Sequence, residues 1–560
     1  MIIMRQLYKA TWCMVLAWCL NATTHGQEIN FTSSNLPIVI IQTEQAINAD
    51  EKVPGTMKII DNGVGETNHV TDTPNDYDGF IGIKWRGESS LNFNQKKYTI
   101  ETWDEMGNDI DVSLLGMPEE ADWVLLAPYN DVSMVRDVFA YYMWNEMGHW
   151  GPRTQMCEVM VNGEYMGVYA LCERIKRDKN RVDISKLKPE DIEGRDVTGG
   201  YIVRIDAYDE EDETFVSQVK GIQVQQTWNW GGTSTYTVEA PITWTIYYPK
   251  KEDIQPEQHA YIQDYIDQTE LAIQADNFAD PEEGYARFIN VESFVDYFIH
   301  TELSLNADGF KRSTYYYKEK DKKDGSLGKL FAGPVWDFNL AYGNCSFCNA
   351  NKVTSWVYEG CETNPTPVMW RRLLEDPNFR NAVKCRYLAL RQTILSEESI
   401  DAFLDSYATL LDEAKDRQLQ KYKEILKSDN PWDFGPTSFF AAYRVSSYEE
   451  EIAIVKDWFR QRLAFLDANL PGECTSATDG IQPLTWLGLD LRMEGTSAVI
   501  HCEKPLVRID VVNAVGACIE SYPINRLQDA TVDLGVGGHG LRIIVCYAAD
   551  GSMVSRSVLF

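Results

Sequence analysis

Positive charge is scarce in this chain of 560 residues, which carries 52 lysines and arginines against 84 aspartates and glutamates and a formal net charge of −32. A polyanion repels phosphate backbones and anionic lipid surfaces, so the composition argues against nucleic-acid binding and against membrane-surface binding. The same charge opposes any polyphosphate ligand at long range. A nucleotide site in this protein would therefore need a local pocket of cationic side chains or a bound divalent cation.

Long apolar runs are missing after residue 26, so the sequence predicts no membrane span beyond that point. Arg5 and Lys9 precede an apolar stretch at residues 10–20, which small and polar residues follow. A basic start, a short apolar run and a polar exit are typical of a secretory signal peptide, and the run is too short for a membrane anchor. We expect residues 1–26 to be a signal peptide and the protein to be exported to the periplasm, the cell surface or the extracellular space.

Cysteine and histidine are also sparse, with 12 and 7 residues. Ten of the cysteines follow residue 26, and an even number in an exported protein permits disulfides. Cys345-x-x-Cys348 together with Cys361 admits a zinc site as an alternative. No histidine lies nearby and a second Cys-x-x-Cys pair is missing, so we predict a local disulfide that fixes this loop.

Short β-branched and apolar runs recur through the first part of the chain and predict strands. The predicted strands cover residues 38–41, 56–60, 79–85, 97–102 and 123–127. Apolar residues at spacings of three and four predict a helix over residues 133–147, with Asp131 and Ser133 as N-cap residues. Asn162-Gly163 lies between two apolar runs and predicts a tight hairpin.

The remainder of the chain changes from strands to helices and back. Residues 200–250 are rich in glycine, threonine and tryptophan and predict an extended hairpin or flap, whereas residues 254–300 and 366–470 have helical periodicity. After a linker at residues 475–485, alternating apolar and polar residues predict a small β-sandwich over residues 486–560.

These patterns predict an α+β fold with a helical second half, built as a body over residues 27–474, a linker and an all-β sandwich. The C-terminal module resembles the sorting domain that some Gram-negative bacteria use for secretion across the outer membrane. A generic adhesion sandwich fits its composition as well.

Charged side chains stand at the ends of apolar strands, where packing alone would not require them. Arg86 begins a small polar turn, and the strand after that turn starts with Lys96 and Lys97. Neighbouring residues on a strand face opposite sides, so one lysine can be solvated while the other, predicted to be Lys97, points into a cleft. A buried lysine needs a partner, which phosphate oxygens would supply. Two solvated edge lysines are the alternative.

Two later turns carry acidic residues. The turn at residues 306–309 contains Asp308, and Asp337 follows an apolar strand end with Asn339 two residues further on. Oxygen ligands at this spacing beside a glycine turn suit Mg²⁺. Phosphoryl transfer needs a cation on the phosphates, a metal-binding carboxylate and a carboxylate that orients the attacking hydroxyl. Lys97, Asp337 and Asp308 could fill these three roles.

Seven segments of the chain, taken in order, resemble the CotH kinase family. They are GIKWRGESS, KKYTIET, LLGMPEEADWVLLAPYNDVSMVRDVFAYYMWNEMG, VNGEYMGVYALCERIKRDKNRVD, TGGYIVRID, LNADGF and VWDFNLAYG. These segments lie between residues 82 and 343, and we take the resemblance to cover roughly residues 30–470. The resemblance implies an atypical, secretory-pathway protein kinase fold that binds ATP and a divalent metal, Mg²⁺ or Mn²⁺, and phosphorylates hydroxyl side chains of an exported protein.

The resemblance also implies roles for individual residues. Asp308 matches the catalytic aspartate of the family's N-x-D turn, and Asp337 matches the metal-binding aspartate of its W-D-x-D-x-x-x-G motif. Lys97 falls at the phosphate-contacting strand lysine, with Arg86 in the adjoining turn as a further cofactor-binding residue. Glu173 falls where the chain would pass the adenine.

Asp131 and Arg136 match the family's D-x-S-x-x-R helix start, for which we expect a structural role that fixes the helix beside the lysine. In one place the chain departs from the family pattern, because Asn339 stands where the second aspartate of W-D-x-D is expected. Asparagine keeps a carbonyl ligand and loses a charge. Weaker metal binding is expected, and catalytic turnover is in doubt.

Two other functions fit the sequence. A kinase-like scaffold without turnover could bind a surface protein or polysaccharide, with tryptophans such as Trp228 and Trp230 stacking on sugar rings. A hydrolase with paired carboxylates is the third alternative, although the sequence alone selects no pair.

Overall fold

A computed structural model of the chain describes residues 29–229, 232–426 and 443–474 and, in the C-terminal region, residues 489–494, 497–513, 518–533, 541–548 and 553–559. The predicted signal peptide and linker lie outside these residues. None of the helices within them combines the length and the apolar character that crossing a membrane would require.

The first part of the protein is a closed β-barrel with two small accessory sheets. Its strands are β1 (Ser33–Ser34), β2 (Ile38–Thr43), β3 (Val53–Ile60), β4 (Asn68–His69), β5 (Tyr77–Arg86), β6 (Lys97–Trp103), β7 (Val112–Leu114), β8 (Met117–Glu120), β9 (Asp122–Leu126), β10 (Thr154–Val161) and β11 (Glu164–Glu173). The barrel order is β10-β11-β9-β6-β5-β3-β2, and a parallel pairing of β10 with β2 closes it.

The two-residue period of the strands decides what faces the barrel interior. On β6, Tyr98 and Ile100 belong to the buried cluster inside the barrel, packed against Ile83 of β5 and Trp123 of β9. Lys97 therefore lies on the outer face of the sheet, toward the rest of the protein. The predicted strands of this region are confirmed, as is the hairpin at residues 162–163.

Helix α1 (Arg136–Glu146) lies between β9 and β10 in the sequence and packs outside the barrel. It begins three residues later than predicted. Asp131 fixes this start, because one carboxylate oxygen accepts the N–H of Arg136 at 2.9 Å and the other accepts the N–H of Ser133 at 3.0 Å. The prediction of Asp131 and Ser133 as N-cap residues is wrong, because the N-cap of α1 is Val135, which makes no side-chain capping bond. Asp131 binds the first N–H of the helix from four residues before that position.

The second part is built on a five-stranded sheet of order β13-β16-β12-β17-β18, with a projecting hairpin beside it. The strands are β12 (Tyr201–Ile205), β13 (Glu213–Val216), β14 (Gly221–Asn229), β15 (Gly232–Ala240), β16 (Thr243–Tyr248), β17 (Thr314–Lys318), β18 (Leu330–Ala332) and β19 (Thr366–Pro367). The pairing of β14 with β15 forms the predicted extended hairpin, and β19 adds to its base. The side chains of Trp228 and Trp230 lie outside the described residues.

Helices cover this sheet and then return to the barrel. They are α2 (Pro256–Gln274), α3 (Val291–Ser304), α4 (Met369–Leu373), α5 (Pro377–Arg391), α6 (Glu397–Leu410), α7 (Ala414–Lys421) and α8 (Tyr448–Asn469). The Gln418 side chain of α7 accepts the N–H of Val168 on β11 at 2.9 Å and donates to Gln95 at 2.8 Å. The helical second half is therefore confirmed. Through Gln418, helix α7 packs against the outer side of the hairpin formed by β10 and β11.

The C-terminal region is all β, as predicted, with strands β20 (Leu489–Glu494), β21 (Ser497–Asn513), β22 (Cys518–Asp533), β23 (Leu541–Ala548) and β24 (Met553–Leu559). The long strand β21 pairs with β20, β22 and β23 in antiparallel fashion around a small core of its own. Its packing as a sandwich and its resemblance to a sorting domain stay predictions.

Candidate active site

Lys97 is the first residue of β6 and points out of the barrel into a cleft. Its side chain is 9% exposed, and its Nζ lies 3.4 Å from Oδ1 of Asp337, which is 240 residues away in the sequence. The neighbouring Lys96 turns to the other side, where its Nζ donates to the carbonyls of Leu91 and Phe93. Lys97 is therefore buried and paired with Asp337, whereas Lys96 is held by the preceding loop. The phosphate-contacting role of Lys97 stays a prediction.

Asp337 stands in a turn that follows β18. Its carboxylate is 36% exposed, and its backbone has a φ of +63°, a left-handed conformation that non-glycine residues seldom adopt. Asp337 is accessible to a ligand, and Lys97 is its one ion-pair partner within the described ranges. A carboxylate that is open to a cleft and only partly neutralised is suited to bind a divalent cation.

Asp308 lies in the turn that follows α3. Burial raises the pKa of its carboxyl group, Lys311 opposes that rise, and Asp337 adds to it. The N–H of Asp308 donates to Oδ1 of Asn306 at 3.2 Å, which fixes the turn. Its carboxylate receives no hydrogen bond from any other residue that the structure describes. A carboxylate with a raised pKa and no hydrogen-bond donor of its own is suited to accept a proton from a ligand.

Two hydrogen bonds join the segment around Asp308 to the Asp337 turn. The Nδ2 of Asn306 donates to the backbone carbonyl of Asp337 at 3.2 Å. The N–H of Tyr342 also donates to the carbonyl of Ser304 at 2.8 Å. Lys97 therefore contacts Asp337, and the turn that carries Asp337 contacts the turn that carries Asp308, so three distant segments of the sequence meet in one region.

A cavity of about 320 Å³ adjoins this cleft between the barrel and the second sheet. Its walls carry cationic and aromatic side chains, and none of its lining residues in the described chain is acidic. The cations are Lys84, Arg86, Arg174 and Arg204, and the large aromatic residues are Trp85, Tyr247, Tyr315 and Trp336. In a protein of net charge −32, this is the local positive pocket that a polyphosphate ligand would need.

Two of the cations in the cavity have no carboxylate partner in the described ranges. Arg86, the last residue of β5, lies opposite Lys97 in the sheet and places its guanidinium 5.0 Å from the centre of the Trp336 ring. Lys84 contacts only a backbone carbonyl, that of Asp50, at 3.4 Å. Their charge is therefore available to an anion in the cavity.

The predicted site residue Glu173 has its side chain engaged elsewhere. Its carboxylate is fully buried and accepts two hydrogen bonds from the Arg153 guanidinium, at 2.7 and 2.8 Å, with Arg181 at 3.7 Å. The next two residues, Arg174 and Ile175, line the cavity instead. The Glu173 carboxylate thus stabilises the fold, and Arg174 and Ile175 are the residues that a ligand in the cavity would contact.

Asn339 points its amide group toward the loop before α1. Its Nδ2 donates to Oδ1 of Asn130 at 3.0 Å, and Asn344 holds its backbone carbonyl at 2.8 Å. The side-chain carbonyl oxygen of Asn339 has no donor among the described residues. Its role as a metal ligand stays a prediction that depends on this single oxygen.

The predicted structural role of Asp131 and Arg136 is confirmed, and it is wider than expected. The buried Arg136 guanidinium binds Asp131, Glu451 of α8 at 2.7 Å and the carbonyl of Ala341 at 3.1 Å. Arg136 therefore ties α1 both to the segment after Asp337 and to the last helix of the body.

The sequence analysis missed several residues of this region. Asp137 of α1 accepts the N–H of Phe338 at 2.5 Å, and burial raises its pKa to about 6, with Lys97 opposing the rise. Arg174 and Arg204 were also missed. Asp137 directly follows Arg136 in the D-x-S-x-x-R segment, which could have drawn attention to it, whereas nothing local marks the two arginines.

The loop after the site contains the predicted local disulfide. Cys348 and Cys361 form it, with their Cα atoms 5.0 Å apart, so these two sulfurs are not free to bind zinc. Cys345 is a buried free thiol. The second disulfide in the described chain joins Cys385 of α5 to Cys474.

The residues of the cleft fit a nucleotide with a divalent cation. The cavity offers unpaired positive charge and aromatic surface, and Asp337 offers an accessible carboxylate oxygen beside it. A comparison with protein families matches residues 83–466 to the family described as CotH kinase protein, which is well over half of the chain. A comparison with curated proteins finds no match.

Proposed function

Because the chain belongs to the CotH kinase protein family, we propose that it is an ATP-dependent protein kinase with a kinase-like fold, which acts on hydroxyl side chains of an exported protein. The observation that carries the proposal is the contact of Lys97 with Asp337 at 3.4 Å, beside the Asp308 turn and at the edge of a cavity lined by cations. These are the groups that phosphoryl transfer requires.

The barrel residues bind and orient the phosphates. Lys97 and Arg86 lie side by side on paired strands, and Lys84 lies two residues before Arg86. Their positive charges counteract both the net negative charge of the protein and the negative charge of the phosphates. The aromatic walls of the cavity suit the flat face of a purine base.

Asp308 acts on the acceptor hydroxyl. It orients the hydroxyl and takes its proton as the oxygen–phosphorus bond forms. The bond from that phosphorus to the bridging oxygen breaks, and its electron pair leaves with ADP. A carboxyl group whose pKa burial raises is better suited to accept this proton than one with the ordinary value.

A divalent cation, when bound, supplies charge neutralisation at the phosphates, and Asp337 with the side-chain carbonyl of Asn339 would hold it. Lys97 lies against the same aspartate, so its ammonium group and the Asp337 carboxylate would face the phosphates together. Replacement of the second aspartate by Asn339 reduces the negative charge available to the cation.

A kinase-like scaffold without turnover is the second candidate, and one observation favours it. The amide of Asn339 is engaged by Asn130, and the side chain carries no charge. A site with one carboxylate for the cation could bind nucleotide and still transfer phosphate poorly.

The deciding experiment incubates the purified protein with γ-labelled ATP and Mg²⁺ or Mn²⁺ and measures label transfer to protein. Asp308→Asn should abolish transfer and leave nucleotide binding intact, because this residue acts on the acceptor. Asp78→Asn is the matched control, since this side chain is 57% exposed on the barrel. Nucleotide binding without transfer in the wild type would favour the scaffold, and absence of both would remove the proposal.

A further inference from the structure

The backbone of the Asp337 turn is strained, and helix α1 holds it. Asp337 has a φ of +63°, and Tyr342 in the same turn has a φ of +51°. For residues with a Cβ such a conformation costs roughly 1 kcal/mol or more, and it persists only where neighbouring groups fix it. What fixes Asp337 therefore decides where its carboxylate points.

Two side chains of α1 bind the two peptide groups on either side of the Asp337 Cα. The hydroxyl of Tyr141 accepts the N–H of Asp337 at 3.3 Å, and Oδ1 of Asp137 accepts the N–H of Phe338 at 2.5 Å. Asp137 and Tyr141 are four residues apart, so they lie on one face of the helix, a turn from each other.

Ring contacts support the same arrangement on both sides. The Tyr141 ring stacks on Trp336 with centroids 5.8 Å apart. The Phe338 ring packs edge-on against His300 of α3 at 4.8 Å. The residues before and after Asp337 are thus anchored, and the peptide between them is set by its two hydrogen bonds.

We propose that Asp137 is a positioning residue, which with Tyr141 holds the Asp337 backbone so that its carboxylate faces Lys97 and the ligand cleft. The inference rests on the proposed function only in taking Asp337 as the metal ligand. A different role for Asp137, as the ionic partner of Lys97, would depend on its charge. Positioning depends on an acceptor oxygen, which asparagine retains.

The test compares Asp137→Asn with Asp137→Ala in the full-length protein. Hydrogen exchange of the Asp337 and Phe338 amides reads the backbone, and Mn²⁺ titration followed by electron paramagnetic resonance reads the metal site. Asp137→Ala should speed amide exchange and weaken Mn²⁺ binding by roughly tenfold each, the effect of losing one hydrogen bond to a charged group. Asp137→Asn should stay within about threefold of the wild type in both measurements.

Equal loss in both variants, or wild-type behaviour of Asp137→Ala, would overturn the proposal. If Asp137→Ala does not fold, Tyr141→Phe decides, because it removes only the acceptor for Asp337. We expect about threefold faster exchange at that amide, and unchanged exchange would contradict the positioning role. Absence of Mn²⁺ binding in the wild type would count against the proposed function, while the exchange data would still judge the positioning.

Discussion

The barrel and the second part of the protein present their functional groups in different ways. Lys84, Arg86 and Lys97 project from the regular paired strands β5 and β6. Asp308 and Asp337 stand in turns, among non-glycine residues in left-handed conformations such as Leu305, Phe310 and Tyr342. The cations are thus placed by a repeating backbone, whereas the carboxylates depend on individual contacts that hold irregular backbone in place.

The difference predicts where the site is fragile. A strand residue can change its side chain and leave the sheet intact, because backbone pairing sets its position. A turn held by side chains moves when those side chains are removed. Substitutions that support the carboxylates should therefore affect stability and geometry together, and substitutions of the cations should affect ligand affinity alone.

The largest loss of stability is expected at Arg136, which joins helix α1 to the Asp337 turn and to helix α8. Arg136→Met leaves Asp131 and Glu451 as unpaired buried carboxylates and removes a donor from Ala341. Breaking a buried ion pair costs about 3–5 kcal/mol, so chemical denaturation should show a loss of that size. Arg460→Met, 46% exposed on α8, is the control and should cost under about 1 kcal/mol. A similar small loss for both would show that α1 does not depend on this cluster.

His300 of α3 should make the contact between the two regions sensitive to acid. Its Nε2 bonds the carbonyl of Ala140 on α1, its ring packs on Phe338, and burial lowers its pKa to about 4 from an ordinary 6.5. The folded state binds this proton less well than the unfolded state, so the contribution is present above pH 6.5 and is lost as the pH falls toward 4. At about 1.4 kcal/mol per pKa unit, the loss approaches roughly 3 kcal/mol.

The measurement is urea denaturation of wild type and His300→Gln between pH 4 and pH 7. The difference between the two curves isolates this histidine from carboxyl groups that titrate nearby, among them Asp137, whose raised pKa acts in the opposite direction. Parallel curves across the whole range would contradict the prediction.

Gly343, at the end of the Asp337 turn, tests the turn itself. Its φ is +79°, and an added Cβ would come within 2.6 Å of the Trp458 ring. Gly116 in the barrel has a similar φ of +73° with nothing within 4 Å. Both alanine variants should lose about 1 kcal/mol from the backbone, and Gly343→Ala should lose about 1–3 kcal/mol more from overpacking. Equal losses of stability in the two variants, measured by thermal unfolding, would contradict the predicted overpacking and would mean that the Trp458 side chain moves aside at little cost.

The smallest effect on stability, and a clear effect on binding, is expected for Lys97. Lys97→Met should weaken ATP affinity about tenfold through loss of a charge-assisted contact, with an unchanged melting temperature within about 2 °C. Lys96→Met is the matched control, because Lys96 is the adjacent residue, has no carboxylate partner among the described residues, and contacts carbonyls of the preceding loop and the Trp85 ring. Isothermal titration gives the affinities, and equal effects of the two variants would refute a special role for Lys97.

The contrast between regular strands and irregular turns also explains which features could be predicted from the sequence. The strands of the barrel were predicted because short β-branched and apolar runs, such as residues 38–41 and 79–85, are a local signal. Lys97 could be singled out by its place at a strand end, and Asp308 and Asp337 by their turns and the family resemblance. That the three segments which carry these residues meet in one region follows from the fold and could not be deduced from the sequence.

The parts that could not be predicted depend on long-range contacts. Arg174 and Arg204 look like ordinary surface arginines until the barrel meets the second sheet at the cavity. The engagement of Glu173 by Arg153 and the pairing of Cys385 with Cys474 have no local signature. Asp137 was passed over because its role, to bind a backbone N–H about 200 residues later, is visible only in three dimensions.

The ion pair between Arg136 and Glu451 makes the site depend on a segment that lies late in the sequence. Every side chain proposed for catalysis precedes residue 340, but the guanidinium that braces the Asp337 turn obtains its second carboxylate only from α8. A nascent chain released up to residue 447 would hold all the catalytic groups with that brace incomplete. The contacts that hold the Asp337 turn are therefore complete only once α8 is in place.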